Sequence, residues 1–146
     1  MQIQFPKYDF RFRNEGANAF IFDTVRKKYV TLTPEEWVRQ HWIRYLIEEI
    51  KYPRSLIAIE LPLKLNTLAK RCDIVLYGRN GSPQLIIECK SLNVKITQSV
   101  FDQIARYNLT LKVKFLIVSN GHEYFCCEID FERGTYKFLE SWPQLT

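Results

Sequence analysis

The chain has 146 residues, 47% of them hydrophobic and 25% charged, and a formal net charge of +5. A sequence of this length and balance builds one globular domain with its own core, which excludes a disordered or repetitive chain. No apolar run reaches the roughly 18 residues of a membrane span, and no basic stretch followed by an apolar one opens the sequence, so a cytoplasmic protein without a membrane anchor is expected.

Residues 1–17 mix aromatic and basic side chains (Phe5, Tyr8, Phe10, Arg11, Phe12, Arg13) and read as an extension that wraps the body. Ala19–Asp23 and Arg26–Thr31 predict a short hairpin. A first helix opens at Thr33-Pro34-Glu35-Glu36, where Thr33 can cap, Pro34 suits the first helical position and Glu36 completes a capping box. Trp37, Val38, His41, Trp42, Tyr45 and Leu46 follow at helical spacing, and the helix ends before Pro53. Strands are predicted over Ser55–Leu63, Asp73–Tyr77 and Gln84–Lys90, the last two joined by a turn at Asn80-Gly81. A second helix covers about Thr97–Leu109, then a buried strand over Lys114–Ser119, then a hairpin of Tyr124–Ile129 with Thr135–Leu139. The order predicts an α/β fold, a mixed central sheet flanked by helices with an extra C-terminal hairpin. The expected division is one domain over 1–146, with the extension at 1–17, the core at 18–121 and the hairpin segment at 122–146.

Cys72, Cys89, Cys126 and Cys127 all fall in apolar strand-like runs, with no CxxC spacing. They read as reduced core residues rather than a disulfide framework. A zinc site from Cys126, Cys127 and His122 is disfavoured, because adjacent strand residues point to opposite faces.

Charges interrupt the most apolar strands. If Asn80-Gly81 is a two-residue turn, Asp73 falls opposite Glu88 and Arg71 opposite Lys90, with all four side chains on one face. Pro83 can lengthen that turn and slip the register. Two carboxylates about 5 Å apart repel by roughly 3 kcal/mol at an effective dielectric near 20. Such a pair calls for a proton, a basic partner or a divalent cation, and two carboxylates beside a backbone carbonyl suit an oxygen-preferring ion such as magnesium. Lys90 can then position or deprotonate a water. The alternative is plain cross-strand ion pairing of Arg71 with Asp73 or Glu88 and of Glu88 with Lys90. Gln103 and Tyr107 stand four apart on the second helix and share a face with Val100, which an ordinary helix boundary would also explain.

The ordered set Leu32-Thr-Pro-Glu-Glu-Trp-Val-Arg-Gln40, Arg71-Cys-Asp73, Ile86-Ile-Glu-Cys-Lys90, Gln103-Ile-Ala-Arg-Tyr107 and Ser119-Asn-Gly121 resembles the PD-(D/E)xK nuclease superfamily. In particular it is similar to the N-terminal nuclease domain of type I restriction enzyme R subunits. The resemblance implies a restriction-endonuclease-like fold and magnesium, or manganese in its place, held by Asp73, Glu88 and the Cys89 carbonyl. It implies that Lys90 orients the attacking water or stabilises charge on the phosphate. It further implies that Glu36 supports the metal site from its helix, that Arg71 is a supporting residue, and that Gln103 and Tyr107 contact DNA or orient catalytic groups. Cys72 stands at the superfamily's nominal proline. The sequence contains no GxxxxGK[ST] loop, so no ATP site of its own is expected. The expected activity is magnesium-dependent endonucleolytic hydrolysis of DNA. The alternative is a non-catalytic nucleic-acid-binding module, or a subunit activated by a helicase or specificity partner. A homodimer is a further possible state.

Overall fold

The computed structural model describes residues 1–65 and 68–145, with side chains outside 62–70. Strands β1 (Phe12–Glu15), β2 (Asn18–Asp23) and β3 (Lys28–Thr31) form a small antiparallel sheet in that order. The hairpin expected over 19–31 is therefore widened by a strand drawn from the segment read as an extension. Packing accounts for it: Phe12 pairs with fully buried Ile21, and its ring stacks on Trp37 at 6.3 Å.

Helix α1 spans Pro34–Glu48, and Thr33 Oγ1 accepts the Glu36 N–H at 3.0 Å, as its cap signature predicts. The first turn differs from a full capping box. The Glu36 carboxylate accepts from Arg26 and from Gln40 Nε2, each at 3.1 Å.

A short 3₁₀ turn at Arg54–Leu56 leads into the main sheet. Its strands are β4 (Ile57–Leu65), β5 (Leu68–Tyr77), β6 (Pro83–Cys89), β7 (Phe115–Ser119), β8 (Tyr124–Asp130) and β9 (Thr135–Leu139), and they lie side by side in that order. Neighbours run antiparallel except β6 and β7, which are parallel and joined through helix α2 (Gln98–Leu109). A parallel pair needs such a crossover, and a right-handed one lays the helix on one face of the sheet.

The two faces carry two cores. Val38, Trp42, Ile43 and Leu46 of α1 pack with Ile74, Leu76, Leu85, Ile87 and Ile117. On the other face, Phe101 and Ala105 of α2 pack with Val75, Ile86, Leu116, Val118 and Cys127. Adjacent Cys126 and Cys127 divide between these cores, as strand alternation requires, and all four cysteines are buried thiols. Among the described residues, no helix is long and apolar enough to cross a membrane.

The β5–β6 turn shows how register is set. The loop is three residues, Arg79-Asn80-Gly81: the Gly81 N–H reaches Gly78 O at 3.0 Å, the Gly78 N–H reaches Ser82 O at 2.8 Å, and Gly81 has φ +83°. This differs from the two-residue turn expected of Asn-Gly. It pairs Tyr77 with Pro83, one step out of the expected frame, and an irregularity between Leu76 and Tyr77 restores it. Leu76 then pairs with Leu85, Val75 with Ile86 and Ile74 with Ile87, the frame the two-residue turn predicts. A left-handed glycine after a turn and a compensating bulge are a common hairpin solution.

Candidate functional site

Asp73 sits where β4 and β5 both change face. Ile59 and its partner Ile74 pack on the α1 side, yet Leu61 and its partner Cys72, two residues along each strand, pack on the α2 side. A regular strand keeps such residues on one face. Between them, Glu60 adopts φ +51°, and this left-handed residue turns both strands over. The kink swings Asp73 toward α1. Its Oδ1 accepts from Arg39 Nη2 at 3.2 Å and its Oδ2 from the Cys89 N–H at 2.8 Å, so Asp73 ties β5 to β6 and to α1 at once.

The expectation that Asp73, Glu88, Arg71 and Lys90 form one row is therefore replaced by a divided arrangement. Arg71 is exposed and reaches Glu60, at 3.6 Å. Glu88 and Lys90 face α2, where they line a shallow cavity of about 280 Å³ with Val100, Gln103, Ile104 and Tyr107. The structure thus brings Glu88, Lys90, Gln103 and Tyr107 into one depression, with Asp73 across β6 from it. The Lys90 N–H continues the parallel pairing to Ser119 O at 2.7 Å. Asn120 Nδ2 donates to Val94 O at 2.9 Å, which pins the segment between Lys90 and α2. Ser119 and Asn120 therefore shape the loop that carries Lys90.

Helix α1 contributes a buried ion network. Arg26 Nε reaches Asp23 Oδ2 at 2.7 Å, Arg26 holds Glu36, and Gln40 donates to both Asp23 and Glu36. Arg39 is 5% exposed and pairs with Glu36 at 3.5 Å, Glu60 at 3.0 Å and Asp73. Burial works against its charge, but Glu36 and Asp73 outweigh that and raise its pKa. Glu36 is thus a member of this network, joined to Asp73 through Arg39.

Its neighbour Glu35 senses the site more directly. Burial first, then the charge of Asp73, pushes the Glu35 carboxyl up, while Arg39 and Lys90 oppose the shift. The buried Cys89 thiol is pushed well up by burial and by Asp73, with Glu88 and Glu35 adding to it and Arg39 opposing. Three carboxylates from three elements therefore bear on the same stretch of β6. Sequence reading passed over Glu35, Arg39 and Glu60. The signal for Arg39 was present, since it stands three and four residues after the two glutamates and shares their side of the helix.

Asp73, Glu88 and the Cys89 carbonyl offer oxygen donors, the kind a small divalent cation prefers. Among the described residues, no group of three His, Cys, Asp or Glu side chains is drawn tightly enough to hold a metal, and Arg39 supplies the positive charge beside Asp73.

A mixed six-stranded sheet with α1 on one face and α2 on the other is a restriction-endonuclease-like architecture. The family model described as type I restriction enzyme R protein N terminus matches residues 34–143, and the chain belongs to that family. No curated protein matches it significantly.

Proposed function

We propose that this domain is a metal-dependent deoxyribonuclease that hydrolyses DNA phosphodiester bonds without an ATP motor in the sequence given. The observation that carries this reading is the cavity in which Glu88 and Lys90 of β6 meet Gln103 and Tyr107 of α2, with Asp73 and Glu35 across the same strand. Asp73, Glu88 and the Cys89 carbonyl would hold magnesium, or manganese in its place. When bound, such an ion polarises the phosphate and makes water a better nucleophile.

The remaining work falls to the side chains. Lys90 orients the attacking water and neutralises charge growing on the phosphoryl oxygens. The water oxygen bonds to phosphorus, the ester bond to the departing sugar oxygen breaks, and that oxygen takes up a proton. Gln103 and the exposed Tyr107 hold the DNA backbone across the cavity. Glu35 supports the metal site from α1, a part the family resemblance implied for Glu36, and Arg39 orients Asp73. Arg71, reaching Glu60, steadies the kink.

A second reading is a DNA-binding module that does not cut, or a subunit activated by a helicase or specificity partner. The Arg39–Asp73 contact favours it, because an arginine already neutralises a carboxylate the metal would need. Supercoiled plasmid incubated with magnesium or manganese separates the two. Nicking by wild type that is lost in Lys90→Ala supports catalysis centred on β6. Nicking that survives the substitution overturns catalysis by Lys90 and points to contamination or another site, and its absence in both proteins overturns a self-sufficient nuclease.

A further inference from the structure

The N-terminal sheet has an outer face that the site above does not use. Arg13 pairs with Phe20 and Phe22 with Tyr29, while the Phe22 N–H takes Arg11 O at 2.9 Å, so these five side chains share one face. The other face is buried through Ile21. On the outer face the Arg11 guanidinium lies over the Phe22 ring at 4.6 Å and that of Arg13 over Tyr29 at 5.6 Å. Phe22 and Tyr29 meet edge to face at 5.2 Å. Both arginines are exposed and the rings half-buried, and Arg13 also pairs with Glu15 at 2.6 Å. Residues 11–31 hold five cations and two carboxylates, so most of the chain's excess positive charge lies in this small sheet.

The platform is continuous with the site. Phe20 and Tyr29 line an open cleft of about 800 Å³ that also borders Glu35, Arg39 and Ser91, the residue after Lys90. We infer that this face, with its cleft, is a binding platform for single-stranded DNA that leads the strand toward β6. Guanidinium groups backed by aromatic rings stack on unpaired bases, and the cations meet the phosphates between them. Duplex DNA hides its base faces and offers this surface only its phosphates. The inference deepens the proposed action on DNA and rests on it for the direction of the strand, while binding itself is tested without metal.

The test is fluorescence anisotropy of the full chain in EDTA, with a labelled oligothymidylate of about twenty nucleotides, a duplex of equal length and an oligouridylate. The single DNA strand is expected to bind about tenfold tighter than the duplex, and Arg13→Glu or Tyr29→Ala to weaken it about tenfold. Tyr29→Phe, which keeps the ring, should retain binding, and Arg13→Glu gives up exposed contacts to Glu15 and Tyr29 and should shift melting only slightly. Equal affinity for strand and duplex, tighter binding of the oligouridylate, or indifference to Arg13→Glu would overturn the inference and leave the arginines as covers for the rings. Absent binding with intact plasmid nicking would sink this inference alone. Binding without nicking would support it and count only against catalysis.

Discussion

Arg39 Nη2 stands 3.2 Å from Asp73 Oδ1, so a buried guanidinium from α1 holds a carboxylate at the face-changing kink of β5. The same side chain pairs with Glu35, Glu36 and Glu60, which makes it the shared counter-charge of four acids on three elements.

Removing that counter-charge leaves buried Glu36 and half-buried Asp73 and Glu60 without their shared partner. Arg39→Ala is expected to destabilise the protein by about 3 kcal/mol in EDTA, the scale on which buried pairs break when one partner is lost. Urea unfolding measures this, and manganese should return part of the loss if Asp73 holds metal. Arg39→Lys should fall between the two, since an ammonium cannot span several carboxylates as a planar fork does. An Arg39→Ala protein as stable as wild type would remove Arg39 from this role.

The two shifted glutamates beside the site give opposite pH signatures. The Glu35 pKa is raised, so between its ordinary value of 4.5 and the raised one the fold binds more protons than the unfolded chain, and stability falls as pH rises through that window. For Glu60, burial works upward, but the Arg39 hydrogen bond and the charges of Arg39, Arg26 and Arg71 prevail and lower it. Its contribution is present above 4.5 and lost as pH falls toward the lowered value. Glu35→Gln should therefore flatten the decline above 4.5 in metal-free protein, while Glu60→Gln should lower stability at neutral pH. Thermal melting across the acid range reads both.

Much of this was legible in sequence. The capping Thr33, the alternation of buried strands and the Gln103–Tyr107 spacing all act through neighbours close in the chain, and each appears where local rules place it. The frame of the β5–β6 hairpin also follows from sequence, although the molecule reaches it through a longer turn and a compensating bulge. The kink at Glu60 does not follow, because nothing in a glutamate inside an apolar run announces a left-handed backbone. Missing the kink, a sequence reading sets Asp73 beside Glu88 on one face and cannot see Arg39 or choose between Glu35 and Glu36. The outer face of the N-terminal sheet was hidden for a similar reason, since β1 came from residues with no clear strand pattern.

Gly121 closes the turn that supports the Lys90 loop. It has φ +92°, and a Cβ there would stand 2.9 Å from Leu92 Cδ2 and 3.2 Å from Val38 Cγ2. Gly121→Ala combines backbone strain with displacement of Leu92, two residues past Lys90. A loss of about 1–3 kcal/mol is expected from the strained conformation and crowding together. If the nuclease reading holds, nicking should fall below what the stability loss explains, as measured well under the melting temperature.

The thiols should be silent in the native state. Burial pushes Cys126 and Cys127 up to about 12, and burial first, then the charge of Asp73, pushes Cys89 well above its ordinary value. Thiolate is the reactive form, so iodoacetamide at neutral pH should label the folded protein slowly and all four cysteines once it unfolds. Mass spectrometry counts the adducts, and rapid native labelling of Cys89 would mean that β6 opens.

The single parallel pairing in the main sheet has a kinetic consequence. Strands β4 to β6 and β7 to β9 are two antiparallel meanders, each able to assemble through short turns, while β6 finds β7 only after the chain carrying α2 has looped back. Closing that loop is the costly, non-local event, so the two halves should gather early and their union should set the pace of refolding. Glu88 and Lys90 lie on one side of that seam and the Ser119 carbonyl on the other. An incompletely folded chain can therefore hold most of its strands while the candidate site has yet to exist.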